Sequence, residues 1–293
     1  MRVTEKMVFD TMRGSVLGNR DRLYRIQRQI AENRRIVQPS DDPRGAEQLV
    51  LLDGARSEIS QFVRNLAAGK SFLEMTSDSL GSAQDLLVRA RELAIQLSDD
   101  SYNAEDRADA AAEVGEIFQE MIRIANTRLG TDSLFSGFRT DAPAYDPSGA
   151  YLGDAGVREI RIGKGERIPV NLVGTDIFGT AASGLLHDLQ ELQNALAAND
   201  RDGIRDAIDA MDRGMETVSA NRARAGARLR TLEVAGAGLQ NSGLLVDERI
   251  SELRDLDLAE AATNLKLQEA ALEAAIQVAG RISSLTILDA VTR

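Results

Sequence analysis

The chain has 293 residues, with 35 Lys and Arg against 46 Asp and Glu, a formal charge of −11. It has no Cys and one His, which excludes disulfides, zinc–thiolate sites, iron–sulfur clusters, thiol nucleophiles and multi-histidine metal centres. The acidic balance disfavours nucleic acid and anionic membrane as partners, and aromatics at 4% with no Trp leave little to wall an enzyme pocket.

The first predicted element is a basic helix. Phe9, Val16, Leu23, Ile30 and Val37 stand seven apart, and Met12, Asn19, Ile26 and Asn33 follow the first four by three residues. That is a heptad seam, with Asn at two of its positions, where it weakens the seam but fixes register. Gly14 and Gly18 each lower helicity by ~1 kcal/mol, so this helix needs partners to form. Residues 1–38 hold nine basic and four acidic residues, net +5, while the other 255 carry −16. With little aromatic interleaving beyond Tyr24, this reads as a solvated helix face whose partner of opposite sign lies elsewhere in an assembly.

Gln38-Pro39-Ser40-Asp41-Asp42-Pro43 breaks the chain. Asp42 caps the next helix and Pro43 takes its first position, where the missing N–H costs nothing. Leu52, Ile59, Leu66, Leu73, Leu80 and Leu87 then stand seven apart. The spacing predicts one helix over 43–98, about 80 Å at ~1.5 Å per residue, a rod rather than a globule. Ser98–Asn103 is a turn. Asn103 or the Ser before it caps a third helix with the face Val114, Ile117, Phe118, Met121, Ile122 and Ala125, ending near Leu129-Gly130.

Between 131 and 180 glycines and prolines cluster. Ile160 and Ile162, then Ile168, Val170 and Leu172, alternate with polar residues around Gly163-Lys164-Gly165-Glu166. This predicts a β-hairpin in a small β insert. From Ser183 on the pattern is helical again. Leu185, Leu189, Leu192 and Leu196 mark one helix. Ile204, Ile208, Met211, Met215 and Val218 begin another that reaches Leu229, Leu232 and Leu239, with Gly236, Gly238 and Gly243 offering a break. Leu253, Leu256, Leu258, Leu265, Leu272, Ile276, Ala279 and Ile282 mark the last.

Catalysis finds little footing. His187 beside Asp188 reads as a surface or capping histidine. Gly163-Lys164-Gly165 lacks the upstream Gly of a phosphate loop. Asp99–Asn103 has oxygen ligands but no Gly where a calcium loop turns, so it reads as a helix-cap turn. Asp255 and Asp257 lie on different helix faces and do not pair. No catalytic residue, cofactor or metal is expected. No apolar run approaches the ~18 residues of a membrane span. Met1–Lys6 leads into charge, so neither membrane insertion nor a cleaved signal peptide is expected. The terminal seams, Phe9, Val16, Leu23, Ile30 and Val37 at one end and Leu258, Leu265, Leu272, Ile276 and Ile282 at the other, are the candidate assembly interface. One buried row does not offset the ordering of so many residues, so these ends are expected to fold together on assembly.

Three stretches carry a family resemblance. Ala31-Glu32-Asn33-Arg34-Arg35-Ile36-Val37-Gln38-Pro39-Ser40-Asp41-Asp42-Pro43 resembles the N-terminal box of the flagellins and their relatives. Asp255–Ala261 with Leu265–Leu272 resembles their C-terminal box, and Asn221–Leu229 the helix before it. Pro39–Pro43, and Leu134-Phe135-Ser136-Gly137-Phe138 leading to Pro143-Ala144-Tyr145, are similar to the branch of that family that joins hook to filament.

The resemblance implies a mostly α fold: an elongated helical rod, a terminal coiled coil formed by both chain ends, and a small β insert domain. The domains would be 1–42 with 250–293 as the coiled coil, 43–133 with 181–249 as the rod, and 134–180 as the β domain. It implies a structural, non-enzymatic role in a homo-oligomeric ring. The ring would touch flagellin and another junction protein, after export by the flagellar type III apparatus with a small chaperone. A short flagellin building the filament itself, and a cytoplasmic coiled-coil or membrane-surface helix protein, are the alternatives.

Overall fold

The computed structural model describes the backbone of residues 5–291, and the side chains of Met7–Arg281 save Val8. Among the described residues six α-helices carry the fold: α1 Glu5–Glu32, α2 Pro43–Leu97, α3 Ala104–Ala125, α4 Leu185–Ala197, α5 Arg201–Arg254 and α6 Leu258–Val291. Four short strands lie between α3 and α4: β1 Arg128–Leu129, β2 Asp132–Ser133, β3 Glu159–Arg161 and β4 Arg167–Pro169. The chain divides into two compact units, one from Ile59 to Asn241, the other from the residues up to Glu58 and from Ser242 onward.

The core of the 59–241 unit follows from heptad spacing. Leu73, Leu80 and Leu87 of α2 are wholly buried, as are Ile204, Met211, Val218 and Ala225 of α5. Each set repeats every seven residues, the period that keeps one stripe facing a partner helix. Val114, Ile117, Phe118 and Met121 of α3, and Leu185, Leu189, Leu192 and Leu196 of α4, complete the same core.

Local chemistry sets the ends. The Asp42 carboxylate accepts from the Gly45 N–H at 3.0 Å, and α2 opens on Pro43. Asn103 caps α3 by accepting from the N–H groups of Glu105 and Asp106, while Asp106 accepts from the Asn103 N–H, a reciprocal capping box. That helix stops at Ala125, short of the expected 129–130. The Asn126 side chain donates to the Tyr145 carbonyl and accepts from the Tyr145 N–H, both at 2.8 Å. Asn offers the backbone this alternative to a further helical turn.

α5 runs through Gly236, Gly238 and Gly243 without the break that those glycines offer. Its apolar row continues as Leu232, Leu239 and Val246, and the half-exposed Lys70 of α2 pairs with Glu233 of α5 at 3.5 Å. Packing outweighs the ~1 kcal/mol that each Gly costs a helix.

Far along the same unit, Arg107 is 2% exposed. Its guanidinium donates to the carbonyls of Leu97 and Asp99, at 2.9 and 2.8 Å, and to the Asn199 side chain at 2.6 Å. It thus pins the turn after α2 to the turn after α4, where Asn199 sits at φ 54. An ion pair between Arg201 and Asp100 joins the same two turns.

The insert is mostly irregular. β3 and β4 pair antiparallel around a turn with Gly165 at φ 84, as the alternation predicts. Phe135 and Phe178 meet edge to face at 5.1 Å between centroids, and Tyr145 packs on both Tyr151 and Phe178. Phe135, Tyr145, Ile162, Leu172 and Phe178 belong to the same buried cluster as the helices. Burial pushes the Tyr145 phenol well above its usual range, and that of Tyr151 up to about 12.

Gly137 (φ 73) turns the chain beneath Asp154, whose backbone oxygen lies 2.2 Å from where a Cβ would stand. Gly137→Ala is therefore expected to cost about 3 kcal/mol, from strain and overlap together. Urea denaturation checks this, and a cost under ~1 kcal/mol would show that the turn relaxes freely.

Candidate assembly interface

The two chain ends are organised by a joint of backbone hydrogen bonds. Asn33 ends α1 in the left-handed region at φ 51, a conformation Asn tolerates. Arg34 and Asp255 then form an antiparallel bridge, and the Arg35 N–H donates to the Arg254 carbonyl at 2.7 Å. The Arg35 guanidinium reaches the Leu253 carbonyl at 3.1 Å, and the Gln29 side chain donates to the Arg35 carbonyl at 2.7 Å. Ile36 and Ile250 are buried in this unit, and Gly45 leaves no room for a side chain beside Ile36.

Each aspartate here has a task. Asp41 accepts from the N–H groups of Val37 and Gln38 and pairs with Arg25 at 3.6 Å. Asp257 caps α6 by accepting from the N–H groups of Ala259 and Glu260. The Ser251 hydroxyl and Arg254 hold the Asp255 carboxyl below the usual carboxylate range.

Beyond the joint, α1 packs on α6. The Gln268 amide donates to both the backbone and the side-chain oxygen of Asn19, at 3.2 Å each. The pairs 34 with 255 and 19 with 268 ascend on one strand of the chain as they descend on the other, so the helices run antiparallel. The half-buried row of α1 is Met12, Val16, Asn19, Leu23, Ile26 and Ile30. That of α6 is Ala261, Leu265, Gln268, Leu272, Ala275 and Ala279, with Ala261 fully buried. Both rows step by three and four residues, as in a coiled coil, with Asn19 and Gln268 as a polar rung across it.

The residues singled out from the sequence divide between this seam and solvent. Val16, Leu23, Ile30, Leu265 and Leu272 lie in the seam, and Val37 is half-buried in the joint. Phe9, Leu258 and Ile276 are more than half exposed. The Ile282 side chain lies outside the described residues. Ala279 stands in the apolar pattern read from the sequence, but Ala261, Gln268 and Ala275 do not, since small and polar side chains carry little hydrophobic signal; their three-and-four spacing with Leu265 and Leu272 is the available clue.

Large apolar side chains remain uncovered on this unit: Met7, Phe9, Leu17, Tyr24, Leu258, Leu267, Ile276 and Val278. Among the described residues α1 contains no fully buried one. Its amides in the isolated chain are therefore expected to exchange with solvent far faster than those of α2 and α5 between 66 and 232. Hydrogen exchange checks this, and equally slow exchange across residues 9–30 would contradict it.

Among the described residues no group of three or more His, Cys, Asp or Glu could hold a metal ion, and no helix is long and apolar enough to cross a membrane. His187 is half-buried on α4, and burial raises the pKa of the neighbouring Asp188 carboxyl.

The helical ends bracket a short, mostly irregular insert, and comparison with known sequences assigns both ends to one class of protein. The bacterial flagellin N-terminal helical region matches residues 3–140, and the bacterial flagellin C-terminal helical region matches residues 208–289. The chain belongs to the flagellin family and is a component of the bacterial flagellum.

It is similar to flagellar hook-associated protein 3 of Escherichia coli, 24% identical over 301 aligned positions that take in 94% of each chain. It is also similar to a flagellin of Listeria innocua, at 24% identity over 82% of this chain and 81% of that one. The solved structure of flagellar hook associated protein-3 from Legionella pneumophila matches 69% of this chain and 98% of its own with a TM-score of 0.63, at 16% identity. That likeness is one of fold.

Proposed function

We propose that this chain is a structural junction piece between the hook and the filament, polymerising through its terminal helices and performing no catalytic step. The observation that carries this is the pairing of α1 with α6, which covers one face of each helix and leaves large apolar side chains exposed on both. Contiguous exposed apolar surface marks an interaction site. The end-to-end match with a hook-associated protein, wider than that with a flagellin, favours the junction over the filament.

On this reading residues 1–42 with 250–293 assemble, 43–133 with 181–249 form the helical domain, and 134–180 face outward. Phe9, Leu258 and Ile276, with Val37 and Ile282, form the assembly surface, and Val16, Leu23, Ile30, Leu265 and Leu272 hold together the pair that presents it. The partners are further copies in a ring, flagellin on one side and another hook-associated protein on the other. Export proceeds through the flagellar type III apparatus, with a small chaperone.

Deleting the gene is expected to leave hooks that bear no filament, with flagellin lost to the medium. Filaments of normal length in the deletion strain would contradict the junction role. Long filaments formed by the purified chain alone would favour a flagellin.

A further inference from the structure

Several arginines of the 59–241 unit are matched by acids. Arg89, Arg91, Arg123, Arg158 and Arg201 each pair with a carboxylate. The stretch 217–232 of α5 is different: it holds Arg222, Arg224, Arg228 and Arg230 and no acid, in a chain of charge −11. Among the described residues none of the four is ion-paired. At ~3.6 residues per turn they fall into two groups, with Arg222 and Arg230 on one side of the helix and Arg224 and Arg228 on the other. Arg222 lies against Gly81 of α2. Arg224 and Arg228 lie where the insert returns along α5.

That return segment, residues 171–176, is tied to α5 at both ends. Arg228 Nη1 donates to the Asn171 carbonyl at 2.7 Å, and the Asn221 amide donates to the Asp176 carbonyl at 3.3 Å. Between these ties Arg224 Nη1 donates to the Asn221 side-chain oxygen at 3.0 Å. Asn171 and Asn221 are both buried, so the ties are fixed. Each guanidinium commits one of its five N–H donors to a neutral oxygen in this way. Burial lowers the Arg228 pKa, the Arg224 charge lowers it further, and no carboxylate acts against them. Residues four apart on a helix stand ~5–6 Å apart at Cβ, so two forks of like charge are held side by side.

We propose that Arg224 and Arg228 form a site for a doubly charged tetrahedral oxyanion, of which inorganic phosphate is the simplest, bridged between the two guanidinium groups. A guanidinium meets such an anion with two parallel N–H bonds and keeps its own charge throughout. A dianion answers both charges at once, where a single carboxylate answers one. Arg228 also holds Asn171, so the bound anion fastens the insert to α5 and stabilises the folded unit by mass action. The site belongs to the 59–241 unit and does not depend on the assembly role set out above.

The test is titration of the purified full chain with inorganic phosphate at pH 8 and constant ionic strength, followed by calorimetry and by the phosphorus NMR signal. One phosphate per chain should bind saturably, with a Kd of about 1 mM, and raise the Tm. Arg224→Gln, at an exposed position, should weaken binding by about tenfold or more and leave the far-UV spectrum unchanged. Arg230→Gln, on the other side of the helix, should leave binding within about twofold of the natural chain. Sulfate should displace phosphate, and acetate should not. Absence of saturable binding would overturn the site. So would an Arg224→Gln chain that binds phosphate like the natural one, or equal weakening by Arg230→Gln. Acetate competing on equal terms would also overturn it, since that marks a surface that takes any anion.

Discussion

Replacing Leu272 by Asp is expected to remove the chain from the flagellum while the 59–241 unit stays folded. Leu272 is half-buried in the α6 row facing α1 and contributes nothing to the large core, whose members all lie between Leu66 and Leu232. The change forfeits apolar burial and sets a carboxylate in the seam, together about 3 kcal/mol against pairing. At ~1.4 kcal/mol per factor of ten, that is a loss of about a hundredfold in any equilibrium that requires the pair. Leu23→Asp, on the facing row, should act alike. Thermal unfolding of the purified variants would show the main transition unmoved, and a swimming assay would show motility lost. Normal swimming by either variant would contradict the account.

The second large effect is expected at Arg107. Its guanidinium is buried and satisfied by three neutral oxygens, two of them backbone carbonyls around the end of α2. The partial negative charge of a helix C-terminus helps to hold a cation there. Arg107→Ala would leave Leu97, Asp99 and Asn199 without their donor and open a void. The expected cost is about 4 kcal/mol, since breaking one side of a buried polar cluster strands the other. In a unit of this size that corresponds to a fall of about 10 °C in Tm. Calorimetry checks it; a fall of under ~2 °C would mean that water replaces the guanidinium.

Arg107 also shows where reading the sequence runs out. An arginine on the third helix carries no mark of burial, because its acceptors come from turns around ten and ninety residues away. The leucines of α2 were legible, since a seven-residue repeat held from Leu52 to Leu87 has one helical solution. The caps at Asp42 and Asn103 were legible for the same local reason. The end of α3 was not, because it depends on Asn126 finding Tyr145 across the insert. The continuity of α5 through its glycines was hidden likewise, as it rests on packing along α2. At the chain ends, heptad spacing revealed that partners are needed, but not which face closes within the chain. The Asn19–Gln268 rung and the alanines of α6 decide that, and none of them stands out by hydropathy.

The most direct test of the central claim is the position of this chain on isolated flagella, read with a gold-labelled antibody against the 131–180 segment. The account predicts one narrow band of label where the hook meets the filament. Label spread along the whole filament, or confined to the cell body, would contradict it.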